Sequence, residues 1–350
     1  MRHIVYWVFM LGIAAAIGGT AAYAARPWYD AANVFKSVTS QPLPTSRMAT
    51  YTPVPKQTRV AAVATPIPTF APIKSPIGRV NYLLLGSDND AKNQPGAAPN
   101  TQVIMFVSYD TVHNQVFMIS IPRDLWVPIP GFQYDKIDTA PGYDNLGLVV
   151  KTVEANFHVT IDHYAWVGLQ GFVKILNSVG GVDIVVSHPM VENDFPDDLN
   201  PLGPTYAIRR FFIPAGPQHL DGVTALEYVR ARHADLIGDF GRSQRQQQVL
   251  LQLKHKMASM DISQFPAIMQ DLKNEFSTDL STLDILSLAH SVLGIDSKSI
   301  HHYYLDQVRG YTSDSKTPNG AAILVGNWPK INALFQCIMS DKAYLGCSNS

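Results

Sequence analysis

The run Val80-Asn81-Tyr82-Leu83-Leu84-Leu85 is apolar at neighbouring as well as alternate positions, and it stops on Gly86-Ser87-Asp88. A strand with one face in water alternates apolar and polar side chains, whereas a strand covered on both faces is apolar almost throughout. Segments 102–109 and 115–121 repeat this pattern and are bounded by turn residues. The spacing therefore predicts three strands of a sheet that needs helices over its faces.

Those helices are legible downstream. Leu146, Val149, Val150, Val153 and Phe157 recur at helical spacing, and a second period runs through Leu169, Phe172, Val173 and Leu176 to a Gly180-Gly181 stop. A strand follows at Val182 to Val186, then an irregular Asp- and Pro-rich loop at 190–208, a strand from Arg209 to Ile213 and a helix from Asp221 to Ala231. Asp239 is the expected N-cap of a long helix carrying Val249, Leu250, Leu253 and Met257 on one face. Strands and helices in this order predict an α/β fold, a mixed central sheet flanked by helices on both faces as an α/β/α sandwich.

The chain has 350 residues, 46% of them apolar, enough to bury a sizeable core and to exclude disorder of the whole. A formal charge of -1 leaves no global basic field of the kind that holds nucleic acid, so any basic site is local. Ile4 to Ala25 is uncharged and long enough to span a bilayer, behind a short N-terminus of residues 1–3 that carries Arg2 and His3. This predicts a single-pass anchor with its N-terminus inside and the domain extracytoplasmic at the cell membrane. Ala22-Tyr23-Ala24 also fits a signal-peptide cleavage site, and either reading exports the domain.

Residues 26–79 follow as a Pro-rich, basic linker that includes Lys36, Arg47, Lys56, Arg59, Lys74 and Arg79. The compact domain is expected over 80–260. Beyond it, 261–350 is expected to pack on the domain as an extension, with helical patterns around Leu272 and from Leu283 to Leu288 and a strand at Ile300 to Leu305. Two cysteines, Cys337 and Cys347, lie within this tail. In an oxidising compartment they read as one local disulfide, with two free thiols as the alternative.

Charge concentrates in residues 228–248. Arg230 and Arg232 sit near the end of one expected helix, while Arg242, Arg245 and Gln246 occupy the first turns of the next. Guanidinium forks beside a helix N-terminus suit a phosphate or pyrophosphate. Arginines on helices more commonly form solvated faces, and Asp235 and Asp239 lie near enough to neutralise part of the cluster. Against that reading, Arg123 in Ile121-Pro122-Arg123-Asp124 and Asp88 each follow a strand directly, where α/β folds bind ligands.

The motif blocks resemble the LytR-CpsA-Psr family, bacterial enzymes that move anionic glycopolymers from a polyprenyl-pyrophosphate carrier onto peptidoglycan. They are Leu83 to Asp88, Ile119 to Val127, Lys136-Ile137, Gly180 to Asp183, Gln218 to Gly222, Tyr228 to Arg232 and Gly238 to Gln246, in family order. The resemblance implies that Arg123, Arg230, Arg232 and Arg242 are catalytic contacts to the pyrophosphate, that Gln246, Arg245 and Lys136 bind substrate, and that Asp88 helps hold a Mg2+. One departure stands out: the family reads Arg-Ser-Asp-Thr where this chain reads Ala98-Pro99-Asn100-Thr101. Asn100 then takes the second metal position and supplies an oxygen without charge. Asp90 is the alternative ligand.

The resemblance implies a phosphotransferase with a lipid-linked glycopolymer, peptidoglycan and the membrane as partners. A non-catalytic binder of the lipid pyrophosphate, or a hydrolase of it, is the competing reading. No HExxH, GxSxG or Walker-type loop occurs, the histidines show no ligand spacing, and nothing marks a DNA-reading motif.

Overall fold

In the computed structural model, residues 70–88, 100–143, 146–197, 199, 207–231, 238–259 and 276–347 are described. The expected anchor at 4–25, the linker up to residue 69, Asp90, Ala98, Arg232 and the pattern around Leu272 lie outside them. No helix among the described residues is long and apolar enough to cross a membrane.

In chain order the elements are β1 (Arg79–Asp88), β2 (Asn100–Asp110), β3 (Gln115–Ile121), β4 (Trp126–Pro128), β5 (Tyr134–Lys136), α1 (Ala140–Tyr143) and α2 (Leu146–Phe157). Then come β6 (His163–Gly168), α3 (Leu169–Ser178), β7 (Val182–Val186), β8 (Met190–Pro196), β9 (Ile208–Ile213), β10 (Gly216–Leu220), α4 (Gly222–Arg230) and α5 (Gly238–Ala258). The last are β11 (Phe276–Thr278), α6 (Thr282–Leu293), β12 (Ile300–Tyr304), β13 (Thr312–Lys316), β14 (Ala322–Gly326) and α7 (Trp328–Ile338).

A six-stranded mixed sheet of order β11-β6-β1-β2-β3-β12 organises the fold. β1 lies at its middle, antiparallel to β2 and parallel to β6. Leu83 and Leu85 face one side with Phe106, Phe117 and Ile119, and are covered by Val149 and Val153 of α2 and Leu334 and Phe335 of α7. Met105, Val116 and Met118 face the other side, where Leu250 of α5 and Val292 of α6 pack on them. Covering on both sides is why β1 and β3 read as continuous apolar runs.

Four expectations change. The loop at 190–208 contains a strand, because Met190, Glu192 and Phe195 turn inward while Val191 and Asn193 stay outside, and β8 pairs with β9 across a bulge. α5 begins at Gly238, so Asp239 falls inside its first turn and is no N-cap. Residues beyond 260 are not an appendage: β11 and β12 form both edges of the central sheet and α7 fills its core. The fold also starts before Val80. Phe70 and Ile73 pack on the core, and Arg79 is buried in an ion pair with Asp110 at 3.3 Å. Cys337 and Cys347 are joined, with Cα atoms 5.8 Å apart, which removes the free-thiol alternative.

A second apolar cluster, built from α3, β7 to β10 and α4, carries the arginine-bearing helix end. Asp221 caps α4 by accepting from the Thr224 N–H at 2.8 Å. Gly222 lets α4 touch α3: its N–H donates to Asn177 Oδ1 at 2.7 Å, and a Cβ there would stand 2.3 Å from the Val173 carbonyl oxygen. Gly222→Ala is expected to lower unfolding free energy by about 1–3 kcal/mol through this overlap. Urea titration of Gly222→Ala beside an exposed-site control checks it, and an unchanged midpoint would contradict the contact.

Candidate functional site

Between the sheet and α3 to α5 lies a cavity of about 610 Å3. Leu84, Met105, Trp166, Phe172, Leu226 and Leu250 form its apolar wall. Its polar lining is Arg123, Arg230, Arg242, Gln246 and Gln102, with Glu192 and Asp194 also present. An elongated amphiphile with an anionic head fits both parts, since apolar burial holds the tail and guanidinium forks hold the head.

Each head-group residue reaches this place by a different route. Arg123 follows the end of β3, and its guanidinium donates to Gln102 Oε1 on β2 and lies 3.5 Å from Asp124. Arg230 ends α4, with its guanidinium carbon 5.5 Å from the Phe195 ring centroid; Arg209 sits 5.6 Å from the same ring. Arg209 pairs in turn with Glu227, whose carboxyl burial pushes up and Arg209 pulls down. Arg242 and Gln246 are one helical turn apart on α5, near the end whose free N–H groups favour an anion.

Arg245 does not line the cavity. Its Nε donates to the Tyr228 carbonyl at 2.6 Å and its Nη2 to the Ala231 carbonyl, so this buried side chain closes the C-terminal end of α4 onto α5. Burial pushes its pKa down to about 10, which leaves it charged at neutral pH. The expectation that Arg245 binds substrate is corrected to a positioning role, because the last carbonyls of α4 need a donor that solvent cannot supply there. The motif placed it correctly, but helical spacing alone does not separate it from Arg242.

Lys136 lines a second cavity with Asp124, to which its Nζ donates at 2.6 Å. Asp88 and Asn100 are paired residues where β1 and β2 end, and Asn100 is exposed. Ser87 and Thr101, the next pair inward, have buried hydroxyls without a hydrogen-bond partner. The backbone pairing brings Asp88 and Asn100 together at one end of the sheet, and carboxylate and amide oxygens are donor types that Mg2+ takes. Among the described residues, no three His, Cys, Asp or Glu gather as a metal cluster.

Four contributors were not foreseen. Phe195 and Glu192 sit on the strand read as loop; Met190 to Glu192 alternates, but the bulge before Phe195 breaks the pattern. Gln102 lay within an expected strand with nothing to mark it. Asp138 follows the Lys136-Ile137 block and is nearly buried, its N–H donating to the Arg123 carbonyl at 3.2 Å. Burial pushes its carboxyl up to about 7, although Arg123 pulls the other way.

Comparison with known proteins followed from this geometry. Residues 47–336 match the model of the LytR_cpsA_psr family. The chain is 31% identical over 225 residues to "Polyisoprenyl-teichoic acid--peptidoglycan teichoic acid transferase TagV" of Bacillus subtilis (strain 168), which covers 63% of this chain but only 54% of TagV. It is 28% identical to "Regulatory protein MsrR" of Staphylococcus aureus (strain COL), over 73% of this chain and 72% of MsrR. Among solved structures, B. subtilis TagV superposes with a TM-score of 0.61 at 26% identity, covering 76% of this chain and 97% of that one. A structure of TagT bound to LI-WTA gives a TM-score of 0.58 at 25% identity, covering 82% and 97%.

The raised pKa of Asp138 has a definite sign. Between its ordinary value of 3.8 and about 7, the folded protein holds a proton that the unfolded chain has lost, so the stability this group contributes falls as pH rises through that window. Asp138→Asn should therefore be more stable than the parent at pH 8, by on the order of 1–3 kcal/mol, with the advantage fading towards pH 4. Calorimetric melting across this range tests it; a difference that is flat with pH would refute the assignment.

Proposed function

From the premise that this chain belongs to the LytR_cpsA_psr family, we propose that it transfers a phosphorylated, anionic glycopolymer from a polyprenyl-pyrophosphate carrier to peptidoglycan, acting as a phosphotransferase of cell-envelope assembly. The observation that carries this reading is the largely apolar cavity whose lining also gathers Arg123, Arg230, Arg242 and Gln246. Relatives named as teichoic acid transferases support the same class of reaction. The domain works outside the cytoplasm, tethered through residues 4–25. The bonded Cys337–Cys347 pair supports that compartment.

In this reading the polyprenyl tail occupies the apolar wall and the pyrophosphate meets the arginines. A hydroxyl oxygen of the acceptor bonds to the sugar-linked phosphorus. The bond from that phosphorus to the bridging oxygen breaks, and its electron pair leaves with polyprenyl phosphate. Phosphoryl transfer has a loose transition state with charge on the equatorial oxygens, so positioning and neutralisation by Arg123, Arg230 and Arg242 do most of the work, and the hydroxyl proton departs late to solvent. Asp88 and Asn100 would hold a Mg2+, which supplies further neutralisation when bound.

Asn100 favours a second reading, in which the lipid pyrophosphate is bound but turned over slowly or only hydrolysed. An amide oxygen brings no charge, so metal affinity is lower than with two carboxylates.

Two measurements test the proposal. Purified full-length chain with a polyprenyl-pyrophosphate-linked sugar, Mg2+ and peptidoglycan should release polyprenyl phosphate, and Arg123→Ala should cut turnover by about 10^2–10^3. Absence of release from folded protein across several donors would remove the catalytic reading and leave the binder. Asn100→Asp should tighten Mg2+ binding about tenfold by calorimetry; unchanged affinity would take Asn100 out of the metal site.

A further inference from the structure

A second cavity, about 690 Å3, borders the apolar one. The two share Gln102, Val103, Arg123, Arg242 and Gln246, so they meet at the residues assigned to the pyrophosphate. Their linings differ in kind. The second is bounded by Asp124, Ser243, Tyr304, Asp306, Gln307 and Asp314, drawn largely from β12 and from the β13–β14 hairpin.

In-line displacement at phosphorus requires the nucleophile to enter opposite the leaving group. With the lipid phosphate leaving along the apolar cavity, the nucleophile must come from another space that reaches Arg123 and Arg242, and the second cavity does so. We propose that this cavity is the acceptor subsite and that it binds a neutral, hydroxyl-rich saccharide. The inference rests on the transfer reading above and deepens it.

The side chains argue for a neutral polyol over a second anion. Asp124 is held by Lys136 at 2.6 Å, Asp306 by Arg309 at 2.6 Å, and Asp314 accepts from Gln307 at 2.6 Å. Each carboxylate is thereby fixed in place with acceptor capacity remaining, and with Arg123, Lys136 and Arg242 balancing the three in the lining, the cavity suits neutral sugar hydroxyls. Burial pushes the Tyr304 phenol up to about 12, so it stays protonated as a donor. Arg123 and Arg242 lie at the shared wall, where the phosphates belong, and Lys136 is taken up by Asp124. A cavity of this size accommodates a small oligosaccharide segment.

The experiment uses the full-length chain in detergent micelles, a short polyprenyl pyrophosphate bearing N-acetylglucosamine as donor, and an N-acetylglucosamine tetrasaccharide as acceptor. Ala322→Trp fills the cavity from β14, and Asp314→Lys alters its exposed rim; neither belongs to the donor machinery. Saturation-transfer NMR should show tetrasaccharide binding to the parent and its loss in Ala322→Trp. Both variants should raise the acceptor KM at least about tenfold, while donor KM and acceptor-free release of polyprenyl phosphate change less than about twofold. Parent-like acceptor binding in both variants, or an equal rise in donor KM, would overturn the assignment. If the parent releases lipid phosphate yet binds no saccharide, the acceptor subsite falls and the donor reading stands. If it binds saccharide in an Ala322-dependent way but releases nothing, the transfer reading falls instead.

Discussion

One buried amide holds the parts of this molecule in register. Gln247, on the sheet-facing side of α5, donates to Ser120 Oγ at 2.8 Å and towards the Tyr303 carbonyl at 3.4 Å, while its oxygen meets His302 Nδ1. Ser120 belongs to β3, and His302 and Tyr303 to β12, so two strands far apart in sequence satisfy a single side chain of α5. A buried amide without partners costs about 1–3 kcal/mol, and sliding α5 by one residue would strand all three. Burial keeps the His302 pKa low, and the neutral ring donates from Nδ1 to the Gln247 oxygen. The register of α5 matters because Arg242 and Gln246 precede Gln247 on the same helix; the contact that fixes the core also aims the site.

The arginines divide into those that bind and those that build. Arg245 spends its donors on carbonyls of α4 and so fixes where Arg230 emerges, while Arg209 pairs with Glu227 and, from across Phe195, frames Arg230. Arg79 is sealed against Asp110 and Phe117 at the far end of β1. Breaking such a buried pair leaves one charge uncompensated, at a cost of about 3–5 kcal/mol. The positive charge at the cavity coexists with a near-neutral chain because Asp124 and Glu227 pair with its guanidiniums or their neighbours, and Glu192 and Asp194 share the lining.

What the sequence disclosed follows the range of the forces involved. The strands around Leu83 to Leu85 and Met118 to Ile121 were legible because covering on both faces writes itself into consecutive residues, and α2 and α3 because one buried stripe repeats at helical spacing. The clustering of Arg123, Arg230, Arg242 and Gln246 was legible through motif order. The role of Arg245 was not, since only the position of the Tyr228 and Ala231 carbonyls distinguishes it from Arg242. β8 was hidden by a bulge that breaks its alternation between Glu192 and Phe195. The place of β12 was hidden more deeply: parallel pairing with β3 joins residues some 180 positions apart, and no local pattern encodes the partner of an edge strand.

That last strand gives the C-terminal third a double duty. β12 completes the sheet beside β3, and the chain leaving it at Leu305 and Asp306 turns at once into the wall of the second cavity. The hairpin that follows is fastened back by the Leu324 N–H to the Asp124 carbonyl at 2.9 Å, next to the residue that orients Arg123. Removing this segment would expose Ile119 and Phe117 at a bare sheet edge and open the arginine wall to solvent together. Stability and the shape of the site are thus tied through the same residues, and a variant that loosens β12 must disturb both.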